Sequence, residues 1–248
     1  MQPYVYRGIE CPDLTHHFPH AVPMESTGLA PHVRLCDPDI NDQCGYMTHD
    51  EAAILYNLAL ACPGEWLEIG SHTGWSTAHI AYAGCHVTGL DPEYKTPVYN
   101  KTKDPVFFRS RTTSNLSRCH AKTSLVGEKS QDFFLKRSFT DPCYDGACID
   151  GEHEPPFPVG DAMLVFPHLK ETCAVFFHDT LGWPVQNGIR IFTDEGFKFR
   201  LYRTSQLVGV CWRGDVTPPD HIGDPNVAWP LILKNTVKFP EDLLELSE

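Results

Sequence analysis

The segment that most constrains the fold of this chain is residues 65–91, EWLEIGSHTGWSTAHIAYAGCHVTGLD. Residues 65–70 form a short apolar run, residues 74–84 have helical spacing, and residues 85–91 form a second apolar run that ends in an acid. An apolar run, a glycine turn, a helix and a second apolar run in this order predict a βαβ unit. Such a unit requires a parallel sheet that helices cover on both faces.

The rest of the chain repeats this alternation of apolar runs and helical patterns. Further strands are predicted at SLVGE, YDGACIDG and TCAVFFHDT, and helices at THDEAAILYNLALAC, SQDFFLKR, DAMLVFPHLK and GIRIFTDEGF. FRLYRTSQ and LVGVCWRG read as two strands joined by a tight turn. The predicted fold class is therefore α/β, with a doubly wound, mostly parallel seven-stranded sheet that carries an antiparallel hairpin at its C-terminal end.

A chain of 248 residues with 42% hydrophobic side chains is long enough for one substantial core, so a single domain over residues 1–248 is expected. Residues 1–45, rich in Pro, His and Asp, are interpreted as an irregular extension that acts as a lid, and residues 46–214 as the α/β core. Residues 215–248 are interpreted as a tail that closes with a short helix. The basic stretch 95–122 reads as a solvated insertion, with a surface that receives an anionic substrate as the alternative.

Composition narrows the partners and the compartment. The chain has 20 Lys and Arg against 32 Asp and Glu, a formal net charge of -12, which disfavours nucleic acid and anionic membranes as partners. Its ten cysteines form no CxxC pair and several lie in apolar runs, which favours free thiols in a reducing cytoplasm. We expect a cytoplasmic protein that acts on a small molecule. The oligomeric state stays open, with a homo-oligomer among the alternatives.

The turn after the first strand of the βαβ unit indicates a ligand. Ligands of open parallel sheets bind beyond the carboxyl ends of the strands, where helix N-termini point their free N–H groups. Gly70 and Gly74 let the backbone pass close to a ligand, and Asp91 at the end of the second strand can accept hydrogen bonds from the two hydroxyls of a ribose. The sequence therefore predicts a nucleoside-containing ligand. The spacing does not match the dinucleotide fingerprint GxGxxG.

The EIGSHTG stretch resembles motif I of the class I S-adenosylmethionine-dependent methyltransferases, which reads acid, any residue, Gly, three residues, Gly. GYMTHDEAAILYNLA followed by WLEIGSHTGWST is similar to the entrance of the small-molecule subgroup. The resemblance implies a Rossmann-like methyltransferase fold and S-adenosylmethionine as cofactor. In that case the turn passes under the methionine portion, Asp91 holds the ribose, Glu68 orients the turn or meets the ammonium group through water, and Glu128 lies near the adenine. The implied cofactor-binding residues are Glu68, Gly70, Ser71, Thr73, Gly74, Asp91 and Glu128.

Two later strands end in ionisable pairs, in CIDGEH and in FFHDT. Asp150 and Asp179 are hard oxygen ligands of the type that binds Mg²⁺, and His178 as a further ligand would favour Mn²⁺ or Fe²⁺. The parallel sheet would bring both pairs to the same edge as Gly70 and Asp91. The alternative is a metal-free site in which Asp150 caps a turn, His178 is an interior histidine and Asp179 starts a helix.

This second group is similar to the site of catechol O-methyltransferase and of metal-dependent sugar or macrolide O-methyltransferases. The resemblance implies catalytic roles for Asp150 and for His153, which stands where the catechol enzymes have a lysine. A histidine there can accept the proton of a hydroxyl, because its ordinary pKa lies near physiological pH. His153 as a plain loop residue is the competing interpretation.

The function that these patterns predict is methyl transfer to a hydroxyl of a small-molecule acceptor, assisted by a divalent metal such as Mg²⁺ or Mn²⁺. One alternative is a protein that binds S-adenosylmethionine without transferring a methyl group. Another is a nicotinamide-dependent oxidoreductase on the same sheet. DNA or amine methylation is disfavoured, because the fourth strand lacks the Asn/Asp-Pro-Pro-aromatic motif.

Overall fold

The computed structural model of the chain describes residues 4–6, 8–25, 33–39, 42–97, 104–119, 122–138, 142–223 and 245–246. Within these ranges no helix combines the length and the apolar character that crossing a bilayer requires.

The described residues form strands, helices and three short 3-10 turns. The strands are β1 (Tyr4–Tyr6), β2 (Ile9–Cys11), β3 (Val22–Glu25), β4 (Val33–Asp37), β5 (Asp42–Gly45), β6 (Glu65–Ile69), β7 (His86–Leu90), β8 (Lys122–Val126), β9 (Tyr144–Ile149), β10 (Leu169–Phe177), β11 (Lys198–Tyr202), β12 (Val208–Arg213) and β13 (Glu245–Leu246). The helices are α1 (His49–Ala61), α2 (Trp75–Tyr82), α3 (Pro105–Arg118), α4 (Ser130–Leu135), α5 (Phe157–Val165) and α6 (Trp183–Thr193). The 3-10 turns are Thr15–His17, Pro92–Tyr94 and Phe166–His168.

The main sheet has the strand order β13-β11-β12-β10-β9-β6-β7-β8. β8, β7, β6, β9 and β10 are parallel, whereas β12 is antiparallel to both β10 and β11. The order reverses between β6 and β9, which is where a doubly wound sheet opens a crevice for a ligand. The predicted seven-stranded fold with its C-terminal hairpin is confirmed, and the two residues of β13 extend the hairpin edge.

Helices cover both faces of the sheet, because neighbouring residues on each strand point to opposite sides. Trp66 and Phe176 lie in a core that also contains the buried residues of α1 and α2. Their chain neighbours Leu67 and Phe177 lie in a second core with the buried residues of α5 and α6. The strand ends are therefore held between two packed layers, which gives the residues beyond them a fixed position.

Helix α1 begins where its sequence predicts. The side chain of Thr48 accepts a hydrogen bond from the backbone N–H of Glu51, and the side chain of Glu51 accepts one from the backbone N–H of Thr48. This reciprocal pair is a capping box, which satisfies two backbone donors at the helix start. It also fixes the carboxylate of Glu51 at the end of α1 that faces the strand ends.

Several element boundaries differ from the sequence-based predictions. The described part of 1–45, predicted to be irregular, contains the antiparallel pair β1-β2 and the three-stranded antiparallel sheet β3-β4-β5. α5 begins four residues and α6 five residues before the predicted starts, because prolines at their first turns favour helix starts. Glu245 and Leu246 form a strand where a helix was predicted. Residues 224–244 lie outside the described residues.

In the described part of the basic stretch 95–122, residues 105–118 form the fourteen-residue helix α3, so this part is not a solvated insertion. Asp104 caps this helix by accepting a hydrogen bond from the N–H of Val106, and Pro105 occupies its first turn. Phe108 and Leu116 are buried at 1% and 2% exposure, so α3 packs against the core as an amphipathic helix.

The nine cysteines whose side chains the structure describes form no disulfide bond with one another, and eight of them are buried. Burial raises the pKa of several of them, including Cys148 and Cys211, so these thiols stay protonated and pack as small apolar groups. This agrees with the prediction of free thiols.

Candidate functional site

A cavity of about 410 Å³ lies at the carboxyl ends of β6, β7, β9 and β10. Its wall includes residues from both groups that the sequence singles out. One group is the glycine turn with Asp91, and the other is the two ionisable pairs after β9 and β10. Among the described residues, the wall does not include Glu68, which belongs to β6, or Thr73 and Gly74, which form the last part of the turn. The predicted site residues that line the cavity are Gly70, Ser71, Asp91, Glu128, Asp150, His153, His178 and Asp179.

The turn after β6 depends on glycine at both ends. Gly70 and Gly74 have φ angles of 90° and 91°, in the left-handed region that side chains disfavour. A Cβ atom on Gly70 would stand 2.0 Å from the carbonyl oxygen of Asp150, so no side chain fits there. The turn after β6 therefore touches the backbone after β9. Gly74 is the residue from which α2 begins, so the free N–H groups of α2 face the turn.

Asp91 is fixed at the end of β7 by two backbone donors. One carboxylate oxygen accepts a hydrogen bond from the N–H of His72 at 2.8 Å, and the other accepts one from the N–H of Glu93 at 2.9 Å. Asp91 is 6% exposed, and burial raises the pKa of its carboxyl. Each oxygen keeps a second lone pair, so the side chain can still accept hydrogen bonds from a ligand in the cavity.

His72, in the middle of the turn, has a φ of 43°, an uncommon conformation for a residue with a side chain. Its carbonyl oxygen accepts hydrogen bonds from the hydroxyl of Tyr94 at 2.6 Å and from Thr112 Oγ1 at 3.2 Å. The Tyr94 hydroxyl also lies 2.9 Å from Ser71 Oγ, and Asn115 donates to the carbonyl of Thr73. The turn is thus held by Tyr94 and by α3.

This support was not predicted from the sequence, although part of it has a signal there. Asp104 followed by Pro105 is a helix start signal, and apolar residues recur at helical spacing after it. Tyr94 carries no local signal, because its role depends on a contact with a turn more than twenty residues earlier in the chain.

Glu68 lies beneath the turn and is fully buried. Thr77 donates a hydrogen bond to its Oε2, whereas its Oε1 has no hydrogen-bond partner among the described residues. Burial raises the pKa of Glu68 to about 7, and the nearby carboxylates of Asp150 and Asp91 add to the shift. A positively charged group in the cavity would favour the ionised form of this acid.

Asp150, His153 and Asp179 come together at one end of the cavity. His153 Nε2 lies 3.3 Å from Asp150 Oδ1 and 3.3 Å from Asp179 Oδ2. One ligand atom from each of the three residues lies within 4.8 Å of the others, a geometry that could hold a metal ion. Asp179 has a φ of 54°, and strained backbone of this kind clusters at functional sites.

The pKa of His153 reflects both its burial and its partners. Burial by itself would lower it, but the hydrogen bond to Asp150 and the charges of Asp150 and Asp179 raise it above the ordinary histidine value. The imidazole therefore stays protonated to a higher pH than a free histidine while both carboxylates are charged and no cation lies between them.

His178, predicted as a metal ligand, stands behind the two acids and is 1% exposed. Its Nδ1 lies 3.1 Å from Asp150 Oδ1 and 3.0 Å from Asp179 Oδ2, and its Nε2 lies 3.1 Å from Glu51 Oε2. Burial opposes its charged form, yet the three carboxylates raise the pKa of His178 well above its ordinary value. Both ring nitrogens of His178 thus face carboxylate oxygens, and the group of described residues that could hold a metal is Asp150, His153 and Asp179, without His178.

Glu128 lines the cavity just after β8, which is separated from β10 by three strands, and it accepts hydrogen bonds from Lys136 at 3.2 Å and Arg137 at 2.8 Å. These two cations lower the pKa of Glu128. Two further polar residues of the wall, Ser130 and Asp161, are hydrogen-bonded to each other, and burial raises the pKa of Asp161 to about 6. Both belong to segments that sequence analysis read only as helix starts.

Comparisons with known proteins agree with this fold. Residues 67–180 match the protein family described as a methyltransferase domain. No curated protein matches the chain.

Similar solved structures share the fold at low sequence identity. The cofactor-bound Rv0187 from MTB is 14% identical, with 67% of this chain and 80% of that chain covered and a TM-score of 0.53. The O-methyltransferase TomG from Streptomyces achromogenes is 14% identical, with coverages of 71% and 84% and a TM-score of 0.51. The precorrin 8W decarboxylase from Methanobacterium thermoautotrophicum is 17% identical, with coverages of 72% and 95% and a TM-score of 0.50.

Three observations agree with one another: the strand order of the main sheet, the glycine turn after β6, and the match of residues 67–180 to a methyltransferase domain family. Residues 67–180 match a methyltransferase domain family, and this match and the fold agree with the predicted resemblance to the class I S-adenosylmethionine-dependent methyltransferases.

Proposed function

We propose that this protein transfers a methyl group from S-adenosylmethionine to a hydroxyl of a small-molecule acceptor. The observation that carries the proposal is a shared cavity: the Gly70 turn with Asp91 and the group of Asp150, His153 and Asp179 line the same space. A volume of about 410 Å³ lies within the range of small-molecule sites, roughly 300 to 1,000 Å³. A cofactor and an acceptor that both bound in this cavity would be close enough to react.

The cofactor end suits a nucleoside with a charged tail. Asp91 offers oxygen acceptors for the ribose hydroxyls, and the start of α2 presents backbone N–H groups. Glu128 and Ser130 line the end where an adenine would lie. The buried Glu68, with one oxygen that lacks a partner among the described residues, suits the positive charge of the methionine portion. The O-methyltransferase TomG was solved in complex with SAM, which supports the same cofactor here.

The acceptor end suits a divalent cation. Two carboxylates and an imidazole form a donor set that Mn²⁺ and Mg²⁺ accept, the imidazole favouring Mn²⁺. Asp150 and Asp179 would hold the cation, with His153 within reach of it, and His178 would stay behind them as their hydrogen-bonding partner. A bound cation would lower the pKa of an acceptor hydroxyl that approached it.

His153 is the proposed proton acceptor. It is the most exposed member of the group, with 42% of its side chain accessible, and Asp150 and Asp179 fix its ring from behind. In its neutral form the ring can take the proton of the hydroxyl while the methyl group is transferred. The transfer is a single in-line displacement, so most of the rate would come from holding donor and acceptor in line.

The test is a methyl-transfer assay with labelled S-adenosylmethionine and a panel of phenols, catechols and sugars. We expect transfer to one class of hydroxyl, lost with EDTA and restored by Mn²⁺ or Mg²⁺. His153→Ala separates two roles: loss of rate with unchanged Mn²⁺ affinity identifies a base, and loss of Mn²⁺ affinity identifies a ligand. Transfer that resists EDTA would overturn the cation, and no transfer to any hydroxyl acceptor would favour a binding protein.

The nicotinamide-dependent oxidoreductase weighed from the sequence is not favoured, because residues 67–180 match a methyltransferase family. The absence of a GxGxxG motif in the turn agrees with this result.

A further inference from the structure

Glu51 is a fully buried carboxylate that lies outside the cavity wall and next to it. It belongs to the first turn of α1, yet it contacts His178 at the end of β10 and residues 205 and 206 between β11 and β12. From the sequence it was predicted only as part of the helix THDEAAILYNLALAC. Its contacts join three elements that are far apart in the chain.

All four hydrogen-bonding positions of Glu51 are occupied. Oε2 accepts a hydrogen bond from the N–H of Thr48 at 2.8 Å and lies 3.1 Å from His178 Nε2. Oε1 accepts hydrogen bonds from Ser205 Oγ at 3.1 Å and from the N–H of Gln206 at 3.1 Å. The capping box of α1 requires only the first of these bonds. The other three connect the carboxylate to the neighbourhood of the cavity, since Gln206 lines it.

The contact with His178 determines where the other side of that ring points. With Nε2 on Glu51, Nδ1 faces Asp150 Oδ1 at 3.1 Å and Asp179 Oδ2 at 3.0 Å. A ring turned about its bond to Cβ would lose both of these contacts. Groups behind a metal or catalytic site commonly orient the residues in front of them through such hydrogen bonds.

We propose that Glu51 is a positioning residue of the site: through the ring of His178 it holds the carboxylates of Asp150 and Asp179 toward the cavity. The inference rests on the proposed function, because it assigns Glu51 to the group that would receive the cation and the acceptor. A buried carboxylate with three partners beyond the helix cap is costly to remove from water, and these partners offset that cost.

The test compares Glu51→Gln with Thr48→Ala. Thr48→Ala removes the side chain that caps α1 and leaves the contact between Glu51 and His178 in place, so it measures the structural effect alone. We expect Glu51→Gln to weaken Mn²⁺ binding, measured by calorimetry, by about 10-fold to 100-fold. Thr48→Ala should lower the melting temperature without changing the Mn²⁺ affinity.

A crystal structure of each protein gives a second measurement, which does not depend on a bound cation. In Glu51→Gln we expect the His178 ring to be turned and the separation of the Asp150 and Asp179 carboxylates to change, with both unchanged in Thr48→Ala. An unchanged ring and unchanged carboxylates in Glu51→Gln would overturn the inference, as would an equal loss of Mn²⁺ affinity in both variants. If the wild-type protein neither binds Mn²⁺ nor transfers methyl groups, the proposed function fails, and the crystal structures still decide the role of Glu51.

Discussion

Glu68, beneath the turn, is a buried acid whose carboxyl has a clearly raised pKa. It is fully buried, its Oε1 has no hydrogen-bond partner among the described residues, and burial raises the pKa of its carboxyl to about 7. An acid whose pKa is raised in the folded state binds its proton more tightly there than in the unfolded chain. The stability that this proton provides is present below pH 4.5 and is lost as the pH rises through about 7.

This predicts a pH dependence that one substitution removes. From pH 5 to pH 8 the ligand-free protein should lose about 2 to 3 kcal/mol of unfolding free energy through Glu68 alone. Glu68→Gln does not titrate, so the difference between its stabilities at pH 5 and pH 8 should be smaller by that amount. Urea unfolding at the two pH values measures it. An identical pH dependence in both proteins would show that Glu68 is ionised throughout.

Single residues also show where prediction from sequence stops. Asp150 and Asp179 were predicted because each follows an apolar run that had to be a strand, and parallel strands end at one edge. Glu51 was not predicted as a site residue, because its proposed role depends on a contact with His178, which is 127 positions away in the chain. His178 was predicted as a ligand because its residue type fits, whereas its ring orientation depends on carboxylates from three separate elements.

Helix α3 links the N-terminal strands to the glycine turn. Its Arg111 donates hydrogen bonds to Asp37 at 2.7 Å and to Asp39 at 2.7 Å, at the end of β4 and just beyond it. The next residue of the helix, Thr112, donates to the carbonyl of His72 in the turn. One face of α3 therefore contacts both the N-terminal segment and the proposed cofactor site.

The two acids that pair with Arg111 provide a matched comparison. The side chains of Arg111 and Asp37 are only 8% and 2% exposed, whereas that of Asp39 is 58% exposed. Asp37→Asn leaves a buried guanidinium without its buried partner, and we expect a loss of about 3 kcal/mol of unfolding free energy. Asp39→Asn should cost much less, because water screens that pair. Urea unfolding measures the loss of stability in both variants. Equal losses would contradict a larger contribution from the buried ion pair of Arg111 with Asp37.

At the scale of elements, the parallel strands of the main sheet were predictable from the sequence, whereas the N-terminal strands and helix α3 were not. β6 to β10 have short apolar runs, glycine turns and helices between them, and these local signals agree with one another. The strands of the N-terminal segment have no such pattern, because they are short and pair only with each other. Helix α3 was not predicted, because its basic residues Arg109, Arg111 and Arg118 are typical of a solvated stretch.

For the whole molecule, a net charge of -12 coexists with a cavity in which acids outnumber lysines and arginines. Such a cavity disfavours an anionic acceptor unless a cation neutralises it. It suits a cofactor that carries a positive sulfonium and an ammonium group. The acidic cavity, the glycine turn and the methyltransferase family match therefore support one account, in which S-adenosylmethionine is the proposed cofactor.

The most direct test of this account is a calorimetric titration of S-adenosylmethionine into the wild-type protein, Asp91→Ala and Asp194→Asn, with NAD as the competing ligand. Asp194 is an exposed acid outside the cavity wall and serves as the control. The account predicts a dissociation constant on the order of micromolar for the wild type and the control, no measurable binding by Asp91→Ala, and no binding of NAD. Binding of NAD, or S-adenosylmethionine affinity that survives in Asp91→Ala, would contradict it.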